Sequence, residues 1–220
     1  MALLPCLNEA AAVGRVVAAV REFVDCVLVV DDGSSDGTSD VARAAGAEVI
    51  RHPTPMGKGF ALAAGLDWAR DQEFTWALTL DGDGQHAPAD IPRFFQAADA
   101  GGTALVVGNR MGAAHSMPVI RRWVNRWMSR RLSRLAGQEL PDSQCGFRLI
   151  RVDVWNRLGL HTRHFEIESE MLMGFVRAGQ GVAFVPVQVI YKTEQSKIHP
   201  WRDTIRWFRW FRSARRSDDQ

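Results

Sequence analysis

The sequence predicts an α/β fold: one domain, built on a mostly parallel, Rossmann-like sheet with helices on both faces. Three observations carry that expectation. Short apolar runs alternate with segments of helical period. The clearest run is β-branched and unbroken by polar residues, as in strands covered on both faces. The runs end in polar or glycine-rich turns, which mark strand ends. At 220 residues the chain suffices for one sizeable core and is short for two domains.

Residues 2–4 are apolar and stop at Pro5, giving a short first strand. Val13, Val16, Val17, Val20 and Phe23 then recur at the spacing of an amphipathic helix. Residues 27–30 read as a buried strand, 38–45 as a helix ended by Gly46, and 48–51 as a strand. A helix over 60–70, a strand over 74–80, a helix over 91–98 and a strand over 105–107 continue the alternation. Such alternation implies right-handed crossovers, with ligands beyond the carboxyl ends of the strands. The second half is less regular. Helices are expected over 121–135 and 166–177, ended by Gly137 and Gly179, and a strand over 145–150. Pro186 interrupts a strand over 182–191, which marks an edge or a bulge. Pro200 can open a last helix reaching about residue 213.

The net charge of +2 conceals a segregation. Residues 110–134 hold seven arginines and no acid, and residues 197–216 carry a net +6, leaving −11 for the rest. Five of the eight tryptophans lie in these two basic blocks. Trp and Arg at helical spacing over 118–135 suit a membrane interface, and 201–216 has the same character. The alternative is that the aromatic faces pack on the protein body and the arginines form a solvated rim. No apolar stretch is long enough to span a bilayer, and no signal-peptide pattern opens the chain. Three scattered cysteines fit a reduced, cytoplasmic protein; with the two basic aromatic blocks, the expected location is peripheral to the inner face of the membrane. A basic aromatic surface also suits single-stranded nucleic acid, but the acidic strand ends would repel a polyanion, so no nucleic-acid partner is expected.

Carboxylates gather at three strand ends: Asn8-Glu9, Asp31-Asp32 and Asp81-Gly82-Asp83-Gly84-Gln85. Each alone is an ordinary turn former. Together they form a cluster that needs a compensating cation. Asp81 and Asp83 can face one hard ion and Gln85 can add a neutral oxygen, a sparse set that suits Mg²⁺ or Mn²⁺ beside substrate phosphates. His86, next after Gln85, reads equally as a partner of that set or as a plain turn residue; the other histidines, His52 and His164 among them, show no ligand spacing and are expected at the surface. Cys145 has no histidine arrangement that would make it a nucleophile.

These segments, with Pro5-Cys6-Leu7, Gly57-Lys58-Gly59, Gly108-Asn109-Arg110, Asp142-Ser143-Gln144-Cys145-Gly146-Phe147-Arg148, Glu166-Ile167-Glu168-Ser169-Glu170 and Ser196-Lys197-Ile198, occur in an order that resembles the family 2 glycosyltransferases of the polyprenyl-phosphate branch. The likeness runs over roughly residues 2–208, although the family's first strand is longer. It implies the glycosyltransferase A-type fold, with a catalytic domain over 1–200 and a basic aromatic helix and tail over 201–220 belonging to it. By the same resemblance Pro5, Leu7, Glu9, Val30 and Asp32 line the nucleoside half of a nucleotide-sugar site. Asp81, Gly82, Asp83 and Gln85 form its metal and diphosphate part. Arg110, Arg121 and Lys197 face the donor diphosphate or the acceptor phosphate.

The implied reaction is inverting transfer of a hexose from a GDP- or UDP-linked donor to a polyprenyl phosphate. A phosphate monoester is largely ionised at neutral pH, so it needs cations for alignment more than a base. A hydroxyl acceptor of a glycan, protein or small molecule would need a base, for which Asp142 ranks ahead of Glu166 and Glu168. A third reading is a binding module without catalysis, against which the intact Asp81, Asp83 and Gln85 set speaks.

Overall fold

The computed structural model describes residues 1–112, 117–160, 162–190 and 200–218, the side chains of the last stretch over 204–215. One sheet holds β1 (Ala2–Cys6), β2 (Val27–Asp31), β3 (Glu48–Arg51), β4 (Trp76–Thr79), β5 (Thr103–Asn109), β6 (Arg148–Arg151) and β7 (Gly181–Pro186), in the order β3-β2-β1-β4-β6-β5-β7. β6 runs antiparallel to β4 and β5, and the other strands run parallel to one another. The helices are α1 (Ala10–Val20), α2 (Thr38–Ala44), α3 (Lys58–Asp71), α4 (Ile91–Asp99), α5 (Val119–Ala136), α6 (Val152–Trp155), α7 (Ile167–Arg177) and α8 (Pro200–Asp218).

The predicted α/β architecture is the observed one, with differences at particular elements. β1 continues through Pro5 to Cys6. Leu3 faces β4, accepting the Leu80 N–H, while Cys6 faces β2, accepting that of Asp32. By the alternation of a strand, the N–H that Pro5 lacks would face β4, where pairing has already ended at Leu3 and Thr79. β6 starts at Arg148 rather than 145: the chain turns at 143–144, and 145–147 are a loop fastened by Arg148. The Arg148 guanidinium is buried and donates to the carbonyls of Cys145, Ser143 and Glu168 at 2.6–3.0 Å. α6, four residues long, is too short to leave a periodic signature, and α8 runs five residues further than expected. β7 is the edge strand that Pro186 foretold and stops there; Tyr191 lies outside the described residues.

Every residue of β2 is buried, and its core is continuous with Leu3, Leu4, Leu78, Val106 and Val107 of the neighbouring strands. Because β1, β2, β4 and β5 are parallel, their carboxyl ends leave one edge of the sheet. β6 runs the other way, so the turn before it arrives at that same edge. Between β1 and β4 the chain order changes direction, the place where α/β sheets open a crevice.

Candidate active site

A cleft of about 740 Å³ opens at that switch point, with Pro5, Leu7, Glu9, Asp32, Asp81, Gly82, Asp83, Gln85, Arg110 and Arg121 all in its lining. Val30 is not there. It is fully buried within β2, level with Pro5 and Ile50, so its expected place in the nucleoside half is corrected.

The ends of β1 and β2 brace each other. Asn8 takes a left-handed φ of 52°, donates its N–H to Ser34 Oγ at 2.8 Å and accepts the Ser35 N–H at 2.9 Å. Glu9 N–H donates to Thr38 Oγ1 at 2.8 Å, which fixes the start of α1. Asp31 turns inward, accepting the Ser34 N–H and the Ser39 hydroxyl. Burial alone would raise its carboxyl pKa; these hydrogen bonds and Arg51 hold it below the usual range. Asp32 accepts the N–H groups of Met56 and Gly57 at 2.8 and 2.7 Å and sits 2.8 Å from His52 Nδ1. His52 is thus a half-buried partner of Asp32, not the solvated surface histidine its spacing suggested.

At the end of β4, Asp81 carries two partners. Lys58 Nζ donates to its Oδ1 at 2.6 Å, and His86 Nε2 lies 3.2 Å from its Oδ2. Burial pushes the Asp81 carboxyl up, but the Lys58 ammonium and His86 override it and hold it well below the carboxylate range. Lys58 also reaches Glu168 at 2.7 Å. Between two carboxylates its pKa rises above the ordinary lysine value despite burial. Asp83 moves the opposite way: burial, then the charge of Asp81, raise its pKa. Gln85 is turned with its side-chain nitrogen, not its oxygen, toward Asp83, donating at 2.8 Å.

Glycines make room for this cluster. A Cβ on Gly146 would stand 3.0 Å from Lys58 Nζ and 3.1 Å from both Asp81 oxygens. On Gly59 it would stand 2.2 Å from the carbonyl of Thr162, so the 162–164 segment closes directly over the start of α3 and brings His164 and Phe165 to the cleft. Sequence spacing held no sign of those two residues.

Among the described residues no three His, Cys, Asp or Glu side chains form a ready ligand set. Mg²⁺ and Mn²⁺ need none: one or two carboxylates suffice, with water and substrate phosphates completing the shell. Asp81 and Asp83 fit that pattern: burial is the main reason the Asp83 pKa is raised, and the Asp81 charge adds a repulsion that a divalent cation would relieve.

The opposite wall is basic. Arg110 is buried and bidentate to Asp142, with Nε–Oδ2 and Nη2–Oδ1 both 2.8 Å. Asp142 is 0% exposed and also accepts the Arg110 and Gln144 backbone N–H groups and the Asn125 amide. Arg110 keeps its carboxyl ionised below the usual range although burial opposes this. Asp142 is therefore shut away from the cleft, which corrects its expected place as a base. Glu168 is engaged by Lys58, and Glu166 is not in the lining. Arg121 of α5 and Arg206 of α8 join Arg110 on this wall; Lys197 lies outside the described residues. Cys145 is buried, and burial pushes its thiol up to about 11, far from a nucleophilic thiolate.

The two aromatic helices divide their faces. Trp207 is 2% exposed, stacked on Phe211 and edge-on to Trp127, so the packed alternative holds for that side of α8. Val119, Ile120 and Trp123 at the start of α5 are 70%, 80% and 68% exposed, and Ile205 and Phe208 of α8 are exposed too. Among the described residues no helix is long and apolar enough to cross a membrane.

A family model described as glycosyl transferase family 2 matches residues 2–159. The chain belongs to that family. The undecaprenyl-phosphate mannosyltransferase of Micrococcus luteus is 28% identical, over 86% of this chain and 83% of that one. The polyprenol monophosphomannose synthase of Mycolicibacterium smegmatis is 27% identical, over 85% and 76%. Among solved structures, glucosyl-3-phosphoglycerate synthase of Mycobacterium tuberculosis in complex with uridine diphosphate superposes with a TM-score of 0.75 at 22% identity, covering 98% of this chain and 78% of that one. That likeness establishes the glycosyltransferase A-type fold for this transferase. The family match stops before α7 and α8, so Glu168 and Arg206 lie beyond it.

Proposed function

We propose that this glycosyltransferase moves a hexose from a UDP- or GDP-linked donor to a polyprenyl phosphate, with inversion, at the cytoplasmic face of the membrane. The observation that carries this is the division of one cleft into a carboxylate wall (Glu9, Asp32, Asp81, Asp83) and a guanidinium wall (Arg110, Arg121, Arg206). The relatives whose names specify undecaprenyl phosphate and polyprenol monophosphomannose support the same acceptor class. A divalent ion held by Asp81 and Asp83, Mg²⁺ or Mn²⁺, would neutralise charge on the donor diphosphate.

The chain's own groups account for the rest. Pro5, Leu7, Glu9 and Asp32 flank the nucleoside end, and Lys58 holds Asp81 in place. An acceptor phosphate oxygen attacks the anomeric carbon as the bond to the diphosphate oxygen breaks, and the nucleoside diphosphate departs with that electron pair. No proton has to be removed, which suits a site whose candidate base, Asp142, is sealed against Arg110. Arg110 and Arg121 align the acceptor anion. The exposed Ile120 and Trp123 lie on the same helix as Arg121, so a bilayer contact there would deliver a lipid-borne phosphate to the basic wall.

Thermal shift tests the donor side, since ligand binding raises apparent stability. Uridine or guanosine diphosphate with Mn²⁺ should raise the Tm, and EDTA or Asp83→Ala should abolish the rise. A shift of the same size in EDTA and in the variant would remove the metal from this reading.

A further inference from the structure

Arg206 lies outside the matched region, yet it lines the same cleft as Arg110 and Arg121. Its neighbour sets its place. The buried Trp207 donates its indole N–H to Ser169 Oγ at 2.9 Å, which also accepts the Gln144 side-chain amide at 2.7 Å. The backbone N–H of Gln144 in turn donates to Asp142, the carboxylate that clamps Arg110. One hydrogen-bonded line therefore runs from α8, through α7 and the turn before β6, to the guanidinium at the end of β5. Successive helix residues point about 100° apart. Burying Trp207 against Trp127 and Phe211 leaves Arg206 on the cleft side of α8.

The chemistry asks for such a residue. A phosphate monoester brings nearly two charges and three acceptor oxygens. Two donors of Arg110, Nε and Nη2, are committed to Asp142. A dianion on this wall therefore needs cations beyond Arg110.

We propose that Arg206 binds the phosphate monoester of the acceptor together with Arg110 and Arg121, and that Trp207 is the positioning residue that holds it there. This rests on the acceptor class given above. It extends the site into α8, beyond the residues that the family motifs mark.

The test uses the full chain with farnesyl phosphate as acceptor and farnesol as the phosphate-free control. Arg206→Ala should raise the KM for farnesyl phosphate by about tenfold, the scale of one charge-assisted hydrogen bond, and leave the donor KM where it was. Arg206→Lys should recover part of the loss, because a point charge lacks the guanidinium fork. Trp207→Phe keeps an aromatic ring but removes the N–H, and should move the acceptor KM in the same direction as Arg206→Ala. Binding of farnesol should not distinguish Arg206→Ala from wild type. An unchanged acceptor KM in Arg206→Ala, or a rise in the donor KM instead, overturns the assignment. If the wild type glycosylates farnesol and not farnesyl phosphate, the acceptor class itself is wrong and the role of Arg206 falls with it.

Discussion

A carboxylate as deeply enclosed as Asp142 persists only because every lone pair is met, two by Arg110 and others by Asn125 and backbone N–H groups. Replacing it with Asn leaves the buried guanidinium without its counter-charge and should cost about 3–5 kcal/mol of stability at pH 7. The pH dependence follows in sign. The folded-state pKa lies below the unfolded value of about 3.9, so the unfolded chain takes up the proton first as pH falls. The stabilisation is complete above that value and is lost as pH drops through the folded pKa. Urea midpoints should therefore show the gap between wild type and Asp142→Asn closing toward acid pH; a constant gap would contradict the pairing. Sequence alone marked Asp142, Lys58 and Arg110 as members of motifs. It could not assign their jobs, because which carboxylate faces the cleft and which faces a guanidinium depends on the reversed β6 and on α5.

At the scale of elements, local pattern was sufficient wherever a strand or helix was long and periodic. β3 has the predicted bounds, and α1, α3, α4 and α7 differ from expectation only near their ends. α6 was hidden by its length, and the direction of β6 by the absence of any local signal for strand polarity. For α5 the stripe of Ile120, Trp123, Trp127, Met128 and Leu132 was legible, yet its division was not. Trp127 is covered because α8 brings Trp207 and Phe208 against it, while Ile120 and Trp123 extend past that contact. In the proposed bilayer contact, those two exposed side chains would be the ones that insert. The double substitution Ile120→Glu and Trp123→Glu should abolish co-flotation with anionic phospholipid vesicles and change the Tm little, since surface changes cost about 0.5 kcal/mol or less. Undiminished flotation would show that α5 is not the contact.

For the whole molecule, the near-neutral net charge is a cancellation between an acidic body and two basic blocks, each of which contributes residues to one cleft. The acidic side is assembled at the ends of parallel strands, where the alternation of elements already pointed. The basic side joins β5 and α5, the next helix, to α8, which is distant in sequence, so Arg206, which no motif marked, became visible only with the packing of α8. The most direct measurement is transfer of labelled hexose from UDP- and GDP-linked donors, with Mn²⁺, to a prenyl phosphate and to the prenyl alcohol of equal chain length. Sugar should appear on the phosphate alone, with the anomeric configuration inverted. Transfer to the alcohol with none to the phosphate, or retention of configuration, would contradict a site that aligns an anionic acceptor for direct displacement.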